Sequence, residues 1–179
     1  MTFNDLKLYN NIQQALEEEG YSNPTPIQEQ AIPEILLGQD LVACAQTGTG
    51  KTAAFALPLI QRHLVREISE KAIRVLVLTP TRELAQQVHK SFVKYSQGSG
   101  LNSVVAYGGA SINPQIDELN KGCDVLVATP GRLLELAFKE LIDLSTVETL
   151  VLDEADRMLD MGFVDDIDRI WQSLGDLQG

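Results

Sequence analysis

Leu41-Val42-Ala43-Cys44-Ala45-Gln46-Thr47-Gly48-Thr49-Gly50-Lys51-Thr52 runs an apolar strand into a glycine-rich turn and then into a helix-like stretch. That order is the one a backbone phosphate cradle requires: successive N–H groups converge at a helix N-terminus, glycines permit close approach, and an ammonium adds a full charge. Gly48, Gly50 and Lys51 have those roles, Gln46, Thr47 and Thr49 complete the loop, and Thr52 offers a hydroxyl to Mg²⁺ beside the nucleotide oxygens. The stretch departs from the general G-x-x-x-x-G-K-[ST] form only at Ala45, which stands in the first glycine position. A nucleoside triphosphate is the ligand to expect.

About a hundred residues later the apolar run Leu150-Val151-Leu152 ends in Asp153-Glu154-Ala155-Asp156. One carboxylate at a buried strand end can hold a metal, in part through water, while its neighbour accepts a proton from an attacking water. Alone, an acidic strand end is a common structural feature. Beside a phosphate loop it becomes a second half-site, with Lys51, Asp153 and Glu154 as the catalytic candidates and Thr52 and Asp153 as the metal candidates.

Between and around these segments strands alternate with helices. Helices are expected from Leu8 to Glu19, from Pro26 after the N-cap Thr25 to Gly38, from Lys51 to about Arg66, from Arg82 to about Tyr95, after Asn113-Pro114, and from Arg132 to about Phe138. Further helical segments reach about Leu174. Strands are expected at Leu41–Cys44, Ile73–Leu78, Ser103–Tyr107, Asp124–Ala128 and Val147–Leu152. Strands apolar on both faces and separated by helices make a mostly parallel α/β sheet with helices on both sides.

The 179 residues, 44% hydrophobic and 22% charged, fit one globular domain. No stretch approaches the roughly 18 apolar residues of a membrane span, and Asn4, Asp5 and Lys7 break a signal peptide's layout, so a cytoplasmic protein without a membrane partner is expected. Cys44 and Cys123 lack metal-ligand spacing and read as reduced cysteines buried in strands. His63 and His89 read as packing or surface residues. The net charge of −11 argues against a broad basic nucleic-acid surface. From Leu141 onward ten acids face two arginines, a local balance of −8 that reads as a solvated face except at Asp153 and Glu154.

These segments carry a family resemblance. Ala45 to Thr52 with Asp153-Glu154-Ala155-Asp156 resembles the DEAD-box RNA helicases of superfamily 2. Gly20-Tyr21-Ser22-Asn23-Pro24-Thr25-Pro26-Ile27-Gln28, with Phe3 upstream, is similar to that family's adenine-reading Q motif. Pro80-Thr81-Arg82-Glu83-Leu84-Ala85, Gly108-Gly109 and Thr129-Pro130-Gly131-Arg132 resemble its RNA-backbone motifs. Gly108 to Gln115 and Arg157 to Phe163 look most like the bacterial RhlE-type members.

The resemblance implies an N-terminal RecA-like, ATP-binding P-loop lobe over 1–179 that contacts RNA without reading sequence. It also implies an Asp156 that couples to a second RecA-like lobe absent from this chain. Physical chemistry agrees at two points. A Gln28 amide can donate and accept at adenine's Hoogsteen edge at once, which guanine's two acceptors forbid, so ATP is expected over GTP, with Tyr21 and then Phe3 as its apolar support. Backbone N–H groups and helix N-termini at Thr81, Gly108-Gly109 and Thr129-Pro130-Gly131 can meet phosphates without a basic surface, with Arg82 and Arg132 supplying charge and 2′-hydroxyl contacts separating RNA from DNA.

In the family the first lobe continues into a strand bearing a Ser-Ala-Thr motif, which lies between the phosphate-loop strand and the Asp-Glu strand. The lobe here is therefore expected to be incomplete, to bind ATP weakly and to turn it over negligibly. Its sheet is expected either to pair Leu41–Cys44 directly with Val147–Leu152 or to fill the gap with a neighbouring segment, and the opened edge could promote self-association. The rival readings are a nucleotide-gated RNA or partner-binding module without turnover, and a DNA-directed superfamily 2 translocase.

Overall fold

The computed structural model describes residues 56–61, 72–98 and 100–174. The expected helices at Leu8–Glu19 and from Pro26, the strand Leu41–Cys44, the phosphate loop and the Q-motif segment lie outside the described residues. The described residues form two compact units, one comprising 56–61, 90–98 and 100–101, the other 72–89 and 102–174. In the first, residues 56–61 are helical, and Ala56, Leu57, Leu59 and Ile60 are buried. Among the described residues no helix is long and apolar enough to cross a membrane.

The second unit is built on four parallel strands: β1 (Val75–Leu78), β2 (Ser103–Ala106), β3 (Val125–Ala128) and β4 (Thr149–Leu152), in the spatial order β2-β3-β1-β4. The central strands β1 and β3 are buried along their whole length, as runs of Val, Leu and Ala with no polar interruption require. Leu76, Leu78, Leu126 and Ala128 join one core cluster with Leu133, Leu136, Met158 and Ile170, whereas Val75, Val77, Val125 and Val127 alternate to the opposite face and are equally buried. Both faces of the central strands are therefore covered.

Parallel pairing needs crossovers, and the helices supply them. α1 (Arg82–Tyr95) follows β1, α2 (Ile112–Asn120) follows β2, α3 (Pro130–Phe138) follows β3, and α4 (Ala155–Asp160) and α5 (Val164–Ser173) follow β4. α2 starts ahead of its expected position because Pro114 falls in the first helical turn, where no intrahelical N–H is required. α3 likewise starts at Pro130 rather than Arg132, with proline at the first helical position and Thr129 extended before it. β4 begins at Thr149 rather than Val147: the Val147 amide donates to Leu144 in a turn, and the Glu148 side chain pairs with Arg74 at 3.2 Å.

Cys123 is a free, buried thiol that stands two residues before β3 rather than within a strand, its Sγ donating to the Val125 carbonyl at 3.3 Å. Burial, reinforced by the neighbouring Asp124 charge, pushes that thiol up to about 12. β4 is only half-buried along its length and pairs with β1 on one side. The expected pairing of Leu41–Cys44 with Val147–Leu152, and any association across that edge, lie outside the described residues.

Candidate functional site

The strand register sets the geometry of the site. Leu78 is level with Ala128 and Leu152, and Ala106 is level with Ala128, so all four strands stop on one line. The next residues form a row in the spatial order Tyr107, Thr129, Thr79, Asp153. Three further backbone bonds hold the row in line: Thr129 N–H to Ala106 O at 3.1 Å, Thr79 N–H to Ala128 O at 3.1 Å, and Asp153 N–H to Leu78 O at 2.8 Å. Ligands of open parallel sheets bind outside such carboxyl ends. Every described segment expected to touch a ligand starts in this row.

At the β1 end Pro80-Thr81-Arg82 turns the chain into α1. Thr81 caps that helix, its Oγ1 accepting from the Leu84 amide at 3.2 Å, and Arg82 is exposed. Arg82 Cζ lies 5.0 Å from the centroid of the Tyr107 ring, and Gln86, one turn further along the same face of α1, donates through Nε2 to Tyr107 Oη at 3.0 Å. At the β3 end Thr129 occupies the N-cap position of α3 without capping it. Its hydroxyl instead accepts the Gly108 amide at 3.3 Å. The Gly108-Gly109 turn is exposed, and Gly109 has φ +82, a left-handed conformation that a side chain would strain.

Arg132 departs from its expected place. Its side chain is 9% exposed, its guanidinium donates to Gln115 Oε1 at 2.9 Å and to Ala110 O at 3.0 Å, and its Nε lies 3.2 Å from Glu135. Gln115 in turn donates to Tyr107 O at 3.1 Å. The pair grips the turn at both ends, residues 107 and 110, and Arg132 spends its charge inside the protein. Sequence reasoning missed Gln115, Tyr107, Gln86 and Thr79. The first carries a usable signal: a glutamine that falls on the buried side of α2 needs hydrogen-bond partners there.

At the β4 end Asp153 is 4% exposed, and its Oδ2 accepts from Thr79 Oγ1 at 3.4 Å. A buried carboxylate with a hydroxyl beside it is an oxygen set suited to a hard cation. Glu154 is the N-cap residue of α4 with φ 52 and ψ 51, one of two non-glycine residues of positive φ among the described residues. A left-handed glutamate costs on the order of 1 kcal/mol, which its surroundings sustain. Its side chain, 15% exposed, lies 3.7 Å from Arg157. Asp156, Asp160, Asp165 and Asp168 are exposed and Asp166 is half-buried, so Asp153 is the one fully buried acid between residues 153 and 168.

The structure thus brings Pro80, Thr81, Arg82, Gly108, Gly109, Thr129, Pro130, Gly131, Asp153 and Glu154 to one sheet edge and turns Arg132 inward. Phe3, Tyr21, Gln28 and the loop from Gln46 to Thr52 lie outside the described residues. His89, half-buried, has Nε2 3.0 Å from Ser103 O and takes no part in the row.

A model of the DEAD/DEAH box helicase family matches residues 25–178. The chain is 48% identical over 181 aligned residues to a probable ATP-dependent RNA helicase ddx3 of Dictyostelium discoideum, covering 94% of this chain and 25% of that protein. It is 46% identical to the DEAD-box ATP-dependent RNA helicase RhpA of Helicobacter pylori, covering 97% and 34%. The crystal structure of a DEAD box protein from the hyperthermophile Methanococcus jannaschii superposes with a TM-score of 0.89 at 40% identity, over 98% of this chain and 47% of that one. The chain spans a quarter to a third of these curated relatives and about half of that solved chain.

Proposed function

Because this chain belongs to the DEAD/DEAH box helicase family, we propose that residues 1–179 form an ATP-binding RecA-like lobe of an RNA helicase, with RNA running along the outer edge of the four-strand row. What supports this reading is the row itself, which sets carboxylates at the β4 end and main-chain donors at the β2 and β3 ends. In the intact protein the second lobe completes both sites, and ATP hydrolysis is coupled to local separation of an RNA duplex. The protein is cytoplasmic on this reading. The finer RhlE-type assignment rests on Gly108–Gln115 and Arg157–Phe163 alone.

The phosphate loop Gln46–Thr52 takes the triphosphate, with Lys51 on the β and γ phosphates and Gln28, Tyr21 and Phe3 on the adenine. Thr52 and Asp153 are the residues that would hold Mg²⁺, which when bound neutralises charge on the β and γ oxygens. Glu154 accepts the proton of the attacking water as the water oxygen bonds to the γ phosphorus and the bond to the bridging oxygen of ADP breaks. Thr79 orients Asp153 from β1. Asp156, exposed in the first turn of α4, faces the interlobe cleft.

On the RNA side, the Gly108-Gly109 turn, the N-termini of α1 and α3 and Arg82 contact sugar and phosphate, so binding is independent of sequence. Alone, 1–179 lacks the arginines of the second lobe, worth roughly 10³ to 10⁵ in rate, and turns ATP over negligibly. In the intact helicase Glu154→Gln keeps ATP affinity and loses RNA-stimulated hydrolysis by at least about a hundredfold. Unchanged turnover removes Glu154 as the base, and equal stimulation by DNA removes RNA as the specific partner.

A further inference from the structure

Resting on the reading of this edge as an RNA-backbone surface, we propose that Tyr107 is a positioning residue that holds the Arg82 guanidinium ready for a phosphate. An exposed arginine at the first position of a helix has a long, mobile side chain, and ordering it costs affinity at the moment of binding. Here the ordering is built in. The Tyr107 ring lies under Arg82 with 5.0 Å between Cζ and the ring centroid, a cation–π distance. A guanidinium held over a ring keeps its in-plane N–H fork available to an anion.

The residue is itself held at three points, one at the rim of the ring and two on the main chain. Gln86 donates to its hydroxyl at 3.0 Å, Gln115 donates to its carbonyl at 3.1 Å, and the following amide, that of Gly108, donates to Thr129 at 3.3 Å. Arg82 and Gln86 are four residues apart on α1, so one face of that helix supplies both the cation over the ring and the donor at its rim. Tyr107 also leads directly into Gly108-Gly109. The same residue therefore orients the charged contact from β1 and begins the main-chain contact from β2, which keeps the two in fixed register along one strand of RNA.

The test is a double-mutant cycle on the intact helicase, read as the RNA concentration giving half-maximal ATPase at several salt concentrations. An exposed cation–π contact corresponds to roughly a twofold to fivefold change in affinity. Tyr107→Leu raises the RNA KM by that factor with kcat and the ATP KM unchanged, and Tyr107→Phe, which keeps the ring, restores most of it. Arg82→Ala raises the RNA KM and lowers the salt slope by about 0.7, the loss of one single-strand phosphate contact. In the Arg82→Ala background Tyr107→Leu adds nothing. Gln86→Ala, on the exposed face of α1, gives a smaller rise that also vanishes in that background.

Equal effects of Tyr107→Leu in both backgrounds, or no effect beside a clear effect of Arg82→Ala, overturn the positioning role and leave the RNA surface intact. An Arg82→Ala variant with unchanged RNA KM and salt slope overturns both.

Discussion

Arg132 was expected to meet a phosphate, and the structure gives it a different task with a different energetic signature. Replacing it by methionine keeps most of the stem and removes the guanidinium. Gln115 Oε1 and the Ala110 carbonyl then lose a charged donor at 2.9 and 3.0 Å, at a site where the arginine side chain is 9% exposed. Hydrogen bonds to charged groups contribute about 1.5 to 3 kcal/mol each, and breaking a buried charged network by removing one partner costs about 3 to 5 kcal/mol. The Glu135 pairing adds less, since that carboxylate is 40% exposed and screened. The expected loss is about 3 kcal/mol.

For a chain of this size that loss lowers Tm by roughly 6 to 12 °C, and it lowers the urea midpoint with an unchanged m-value. Arg132→Lys keeps the charge without the two-pronged geometry and falls between the two. A phosphate-facing arginine would behave oppositely: stability would shift by less than about 0.5 kcal/mol, and the RNA salt slope would fall by about 0.7. Urea denaturation of the variant chain, paired with RNA titration of the intact helicase at several salt concentrations, separates the cases. Unchanged stability with a reduced slope would refute the brace.

Gly109→Ala places a side chain at φ +82, where the Cβ meets nothing within 4 Å, so its cost is backbone strain alone, on the order of 1 kcal/mol, and it moves the Gly108 amide. Gly131→Ala, in α3 with equally open space, leaves stability unchanged or raises it by up to about 1 kcal/mol. Thermal melts that rank the two variants the other way would contradict the turn geometry. For Cys123, the folded thiol titrates at about 12 while an unfolded one titrates near about 8.5. Its contribution is fully present below that lower value. Above it the unfolded chain releases the proton first, and stability falls by up to about 1.4 kcal/mol per pH unit toward pH 12. Cys123→Ala lacks this component, so denaturation midpoints compared at about pH 8 and about pH 10.5 separate the two chains, and parallel losses would show that the thiol does not titrate late.

The sheet was legible because uninterrupted Val, Leu and Ala runs at 75–78 and 125–128 can be satisfied only by burial on both faces. Element starts were less so. Asn113-Pro114 and Thr129-Pro130 look like breaks in a linear reading, yet a proline within the first turn of a helix forfeits no bond, and both lie inside or at the head of helices. Half of the row of strand ends, Thr129 and Asp153, could be named from the sequence, whereas Thr79 and Tyr107 stand just ahead of the segments that drew the reading, Pro80-Thr81-Arg82 and Gly108-Gly109. What stayed hidden was who holds whom. Nothing local tells that the Thr129 hydroxyl leaves its own helix to accept from Gly108, or that Arg132 turns back to Ala110, because both bonds span more than twenty residues and follow from strand order.

Strand order also resolves how a lobe with ten acids against two arginines beyond Leu141 could hold an anionic strand. The carboxylates are at one end of the row, on β4, and the main-chain donors at the other, on β2 and β3, with β1 between them. On the proposed reading Mg²⁺ and the triphosphate meet the acidic end and RNA the neutral end, so the charges that would repel RNA are placed where a cation offsets them. β1 is then more than a spacer. Thr79 bonds Asp153 through its hydroxyl at 3.4 Å and Ala128 through its amide at 3.1 Å, and the next three residues are Pro80, Thr81 and Arg82. A shift of Asp153 on nucleotide binding would act on the same short segment that presents Arg82. On that proposed reading, Thr79 is the residue through which the nucleotide end of the row would bias the RNA end.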